Sequence, residues 1–248
     1  MLKPEILILT RGRDMSMQLT AQALLAAGVK FRFCQTMGDD TKLDHVLPRI
    51  IVEAKNIAEK REKVLATQLV GYTQTIMLDD DIKFHKVTDT GTKKATPVDV
   101  ADLFKLITKQ METNALVGVE QRFMIQMKEK PFNTKLGPLL HLFAINKSLL
   151  TGKERFDRVI GHEDIDFVLQ VLWNKLPVSM ISNYCHDDIG NFERKGGCSI
   201  WRTKESCLEQ VLVLERLWPH LITHKFDKNG VPRVRCKWAK VRAHRSIK

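Results

Sequence analysis

Short apolar runs alternate with stretches of helical periodicity over most of the chain, and this alternation limits the fold more than any single residue does. "EILILT" (5–10) is bounded by Arg-Gly-Arg, "MQLTAQALLAAG" (17–28) repeats apolar residues at helical spacing and closes on a glycine, and "VKFRFCQT" (29–36) returns to strand character. "RIIVEA" (49–54), the helical "NIAEKREKVLATQLVG" (56–71) and "QTIMLDDD" (74–81) continue the pattern. Further on, helices are expected at 100–113, 161–175 and 204–221, with strands at 114–123, 139–150 and 177–188. Such an order predicts an α/β fold: a mostly parallel sheet with helices on both faces and ligands beyond the carboxyl ends of its strands. No internal repeat or low-complexity linker interrupts it. The expected organisation is therefore one domain over 1–224, ending in a C-terminal helix, and a basic extension over 225–248.

The charge is uneven. Forty Lys and Arg against 29 Asp and Glu give a net +11 over 248 residues, which favours polyanionic partners or negatively charged substrates. From Lys225 to Lys248 nine basic residues face one acid, Asp227. No run approaches the ~20 apolar residues of a membrane span, and the first residues read as a strand rather than a signal peptide, so a cytoplasmic protein is expected. Five cysteines without a C-x-x-C pair read as reduced and structural.

Three constellations could carry chemistry. Asp79, Asp80 and Asp81 end a buried strand. On a strand, residues two apart share a face, so Asp79 and Asp81 are expected to point together and Asp80 away, which would make Asp80 the most replaceable. Two carboxylates at a strand end form half of a hard-cation site that water and diphosphate oxygens complete. In "RFDRVIGHEDIDFVLQVL" (155–172), Glu163, Asp164 and Asp166 fall in the first turn of a helix. There they either serve the positive helix end or place a general base at the cleft. His186, in "SNYCHDD" after an apolar strand, is a candidate nitrogen ligand.

The order of these features resembles the GT-A class of nucleotide-sugar glycosyltransferases over about Glu5 to His186. "LDDD" is similar to that class's D-x-D motif, "FDRVIGHEDIDF" to its acceptor-side segment, and the His of "NYCHDD" to its C-terminal metal ligand. The resemblance implies a Rossmann-like GT-A sheet. It also implies a Mn2+ or Mg2+ ion on Asp81 and His186, with Asp79 on the ion through water or on the ribose. Asp164 is then the base, with Glu163 second to it, and Thr10, Arg11, Arg13, Lys60, Arg61, Asp79 and Asp80 contact the donor. The chemistry implied is sugar transfer from a UDP-sugar, with inversion.

"TRGR", "LDDD" and "GHEDIDF" together resemble a narrower group, the TET/JBP-associated glycosyltransferases of phages, linked to sugar transfer onto 5-hydroxymethylpyrimidines in DNA. This implies a DNA acceptor in an infected cell's cytoplasm. Arg233, Arg235, Lys237, Lys240, Arg242 and Arg245 would then contact phosphates, and Trp201, Trp218 or Trp238 would stack on a flipped base. A glycosyltransferase acting on protein or glycan, a metal-dependent nucleotidyltransferase and a non-catalytic nucleic-acid-binding protein stay open as alternatives.

Overall fold

The computed structural model describes residues 3–39, 43, 46–66, 72–125, 137–188 and 203–246. Its alternating elements assemble into a nine-stranded sheet of order β3-β2-β1-β4-β8-β7-β9-β5-β6. The strands are β1 (Glu5–Leu9), β2 (Arg32–Thr36), β3 (Arg49–Val52), β4 (Gln74–Asp79), β5 (Lys83–Thr88), β6 (Gly91–Lys94), β7 (Leu116–Gln121), β8 (Leu142–Asn146) and β9 (Val178–Asp187). β1 runs parallel to β2 and β4, β2 to β3, and β7 to β9. The expected mostly parallel sheet is present, with two departures. β8 is inserted antiparallel between β4 and β7, and the hairpin β5–β6 adds antiparallel beyond β9. The reversal of β8 has a chemical consequence, because the residue before it lies at the edge where β4 ends: the Asp79 N–H donates to the His141 carbonyl at 2.9 Å.

Burial on both faces explains the apolar runs. Leu7, Leu9 and Met77 pack with α2 (Ile57–Ala66), α4 (Glu163–Trp173) and α5 (Lys204–Leu217) on one face. Ile8, Ile76 and Leu78 pack with α1 (Leu19–Ala26) and α3 (Pro97–Gln110) on the other. Each such fully buried aliphatic side chain stabilises the fold by about 1.5–3 kcal/mol relative to exposure. Phe156 and Phe167 stack at 3.9 Å, and Phe143 stands edge-on to both. α3 begins before its periodic pattern because Thr96 and Asp99 cap it reciprocally and Pro97 occupies its first turn.

The C-terminal region departs from expectation. α5 stops at Leu217 rather than 221, and the chain turns into β10 (Ile222–Phe226), antiparallel to β11 (Pro232–Cys236), before α6 (Trp238–Ser246). The 224/225 boundary falls inside β10. Val241 is buried, and Val234, Cys236 and Trp238 pack against the core of the α4 face. His244 stacks on Trp173 at 3.7 Å. Apolar residues at every second position of β11, which the charge surplus masks in the sequence, hold this region to the domain. Among the described residues no helix is long and apolar enough to cross a membrane. Cys34, Cys185, Cys207 and Cys236 are free thiols; Cys198, Trp201, Lys248 and the end of the helix expected to reach Gly71 lie outside the described residues.

Candidate active site

Thr20, on α1, shapes the acidic triplet. Its hydroxyl donates to the Asp79 carbonyl at 2.6 Å and accepts from Ile82 N at 3.0 Å, while its own N–H donates to the Asp80 carbonyl at 3.2 Å. The strand therefore ends at Asp79 and the next two residues turn, so alternation does not carry through the triplet. Asp80 is not the outward-pointing, replaceable member. It is only 5% exposed, accepting from the Thr10 hydroxyl at 2.6 Å and from Arg13, whose Nη1 also donates to Asp81 at 2.7 Å. Burial pushes the Asp80 carboxyl up to about 6 against the pull of Arg13 and Thr10. Gln18 supports both partners, donating to the Thr10 hydroxyl at 2.6 Å and to the Arg13 carbonyl at 2.7 Å. Lys60, on α2, is buried and donates to the carbonyls of Thr10, just beyond β1, and Cys34, within β2; burial lowers its pKa. Arg11 turns outward and donates to the Lys55 carbonyl.

Asp79 belongs to a second network. Its Oδ1 accepts from Arg61 Nη2 at 2.6 Å and its Oδ2 from His141 Nδ1 at 2.8 Å. Arg61 Nη1 reaches Glu163 at 3.0 Å, and its guanidinium lies 4.8 Å over the Phe143 ring. One fully desolvated cation thus ties the end of β4 to the start of α4. Burial opposes the Asp79 carboxylate, but Arg61 and His141 outweigh it and hold its pKa below the usual range. Glu163 is pushed upward by burial against Arg61.

His141 is the site residue that the sequence did not disclose. It precedes β8, and only the reversal of that strand brings it to this edge. Its backbone is left-handed at φ 63°, a costly conformation for a non-glycine residue that recurs at functional sites. Burial disfavours its charge, but Asp79 and then Asp188 raise its pKa to about 9. The folded value lies above the ordinary 6.5, so this pair's stabilisation is complete below that pH and is lost as pH rises through about 9. Urea unfolding across this window should show that loss in the wild type and a flatter profile in His141→Asn, since Asn tolerates the left-handed backbone. Equal pH dependence in the two proteins would remove His141 from the network.

The ligand set expected from the sequence is not gathered. Asp79 is engaged by Arg61 and His141, Asp81 by Arg13, and His186 is fully buried. The His186 ring stands edge-on to His141 at 5.7 Å. Burial and the neighbouring His141 lower its pKa to about 3, against the favourable Val119 backbone, and neither ring nitrogen has a well-directed hydrogen bond. Among the described residues no three His, Cys, Asp or Glu side chains are grouped to hold a metal ion. The carboxylates are matched instead by the chain's own cations.

Asp164, second residue of α4, differs from the acids around it. It is half-buried and, among the described residues, in no ion pair, with one oxygen accepting from Ile165 N at 2.7 Å. Asp166, by contrast, is sealed in the core, where it accepts from Trp218 Nε1 at 2.7 Å and Gln170 Nε2 at 2.9 Å. Trp218 is buried by this bond and Trp238 packs on the core, so neither is the exposed stacking platform expected from the sequence. Among the basic candidates, Arg233, Arg235, Lys237 and Lys240 are exposed. Arg242 and Arg245 are half-buried on α6, and burial lowers the pKa of Arg245.

A family model described as TET-Associated Glycosyltransferase matches residues 5–197. Among solved structures, CMP:2-keto-3-deoxy-manno-octonic acid synthetase complexed with CTP is similar over 73% of this chain and 89% of its own, at 12% identity and a TM-score of 0.40. The glycosyltransferase GlyE of Streptococcus pneumoniae TIGR4 is similar in its apo form at 16% identity (70% of this chain, 39% of that one, TM-score 0.30). A second GlyE structure is similar at 13% identity (88% and 44%, TM-score 0.30). The chain therefore spans less than half the length of GlyE. No curated protein matches the sequence.

Proposed function

The chain belongs to the TET-associated glycosyltransferases, and from that membership we propose that it moves the sugar of a UDP-sugar to the 5-hydroxymethyl group of cytosine in DNA, with inversion. A glycosyltransferase uses a nucleotide-sugar donor; the uridine, the DNA acceptor and the stereochemistry are the proposed parts. The observation that carries the chemistry is Asp164, a half-buried carboxylate in no ion pair among the described residues, beside the ion-pair network of Arg61 at the strand-end edge. As the acceptor oxygen bonds to the anomeric carbon, the bond from that carbon to the diphosphate oxygen breaks and its electron pair leaves with UDP. The hydroxyl proton passes to Asp164 and then to water.

The surrounding residues hold this geometry. Arg61 grips Glu163, the neighbour of Asp164, and Asp79 at once, so the base keeps its position relative to the donor edge. Thr10, Arg13, Lys60 and Asp80 form the rigid floor on which the nucleotide is placed, and Arg11 stands at its exposed rim. Arg13, Arg61 and His141 are the cations of this edge, each already paired with a carboxylate of the triplet. A divalent ion enters the proposal as a condition of the assay, supplied as Mn2+ or Mg2+ and withdrawn with EDTA, because no described ligand set encloses one.

Donor class separates this reading from nucleotidyl transfer. UDP and UDP-sugars should raise the melting temperature, and UDP-sugars should release UDP slowly in the absence of acceptor. No nucleoside triphosphate should release pyrophosphate. Pyrophosphate release without UDP release would overturn the assignment.

A further inference from the structure

The basic residues near the C-terminus are sorted by secondary structure, and the sorting identifies a surface. In the β10–β11 ribbon, Ile222 faces Cys236 and His224 faces Val234 across the strands. These four form the inner side: Ile222 is buried, Val234 and Cys236 pack on the core, and His224 pairs with Glu215 of α5 at 2.7 Å. The alternate pairs are Thr223 with Arg235 and Lys225 with Arg233. All four are exposed, and three are cationic. Lys228 in the turn, Lys237 just beyond β11 and Lys240 on α6 are exposed as well.

The acid in this region, Asp227, is committed to the turn. It accepts from Asn229 N and Val231 N and pairs with Arg233 at 2.9 Å. Arg233 is therefore matched by an acid, whereas among the described residues no acid pairs with Lys225, Arg235 or Lys237. Arg242 and Arg245 belong to a different surface, on the helix that packs against α4.

The geometry points to the outer face of this ribbon as a duplex-DNA docking surface, with Lys225, Arg235 and Lys237 on backbone phosphates. A two-stranded ribbon fits the major groove of B-form DNA. Period-two alternation gives it what such docking needs: one side anchored by apolar residues and α5, the other presenting cations at strand spacing. Charge complementarity selects the partner, since Lys225, Arg235 and Lys237 gain from each counterion that a phosphate releases. The inference refines the DNA-acceptor reading by separating the ribbon from α6 among the residues expected from the sequence.

The test is binding of the full-length protein to an unmodified duplex of about 20 base pairs, followed by fluorescence anisotropy between 50 and 200 mM salt. No sugar donor is present, so the outcome is independent of whether sugar transfer occurs. Lys225→Ala/Arg235→Ala/Lys237→Ala, with unchanged circular dichroism, should reduce the slope of log affinity against log salt by about one for each residue, about three in all. Arg242→Ala/Arg245→Ala and the α3 control Lys105→Ala/Lys109→Ala should leave that slope in place. Duplex RNA, whose deep major groove excludes a ribbon, should bind at least about tenfold more weakly than DNA. An unchanged slope in the ribbon variant, an equal loss in either control, or equal affinity for RNA would each overturn the assignment.

Discussion

Replacing Arg61 by methionine should cost about 3–5 kcal/mol of stability, the usual cost of removing one partner from a buried ion pair. For a chain of this size the melting temperature should fall by roughly 6–20 °C. Arg61 is 2% exposed and satisfies two carboxylates, Asp79 at 2.6 Å and Glu163 at 3.0 Å. Methionine keeps the packing on Phe143 and Phe156 and leaves both acids buried without their cation. Glu163, already pushed upward by burial, can accept a proton, whereas Asp79 retains His141. The double variant Arg61→Met/Glu163→Gln should therefore recover part of the loss, a non-additivity that chemical unfolding can measure. Strict additivity would show that Arg61 does not link the two acids.

Asp164→Asn should lower sugar transfer by about 10²–10⁴-fold, the range for loss of a general base, with donor affinity and melting temperature unchanged. The substitution keeps size and removes the proton acceptor. Among the described residues Asp164 is in no ion pair, so no direct salt bridge is lost, only the more distant support its charge gives to Arg61 and His141. Glu163→Gln should show the opposite pattern, affecting stability through Arg61 more than the chemical step. Calorimetry with UDP and single-turnover transfer separate the two effects. A fully active Asp164→Asn enzyme would move the base elsewhere on this edge.

Much of this arrangement was legible because burial leaves a pattern. The run ending at "TIML" packs on both sheet faces, as its continuous apolarity requires, and acids in the first turn of α4 complement a helix N-terminus whether or not they do chemistry. What was not legible depends on partners distant in sequence. Strand alternation read from the sequence continues through Asp80 and Asp81, but Thr20, nearly sixty residues earlier, ends the strand at Asp79. His141 stands before a strand, and its arrival at the site requires β8 to run antiparallel, which an apolar run does not encode. The hairpin β5–β6 is polar enough to pass for a loop, with Lys93 and Lys94 on an edge strand where charge is tolerated. The basic C-terminal residues showed their composition and hid their anchorage, because Val234, Cys236 and Trp238 alternate with the cations instead of forming a run.

Sugar transfer to a DNA base should depend on Asp164 as the proton acceptor. The most direct measurement is mass spectrometry of nucleosides digested from duplex DNA containing 5-hydroxymethylcytosine, after incubation with each of a panel of UDP-sugars and Mn2+. The predicted result is that wild-type protein adds the mass of one sugar residue to 5-hydroxymethylcytosine with at least one donor, while ordinary cytosine stays unmodified and Asp164→Asn gives a trace at most. No added mass with any donor, while a protein or glycan acceptor is modified under the same conditions, would contradict it.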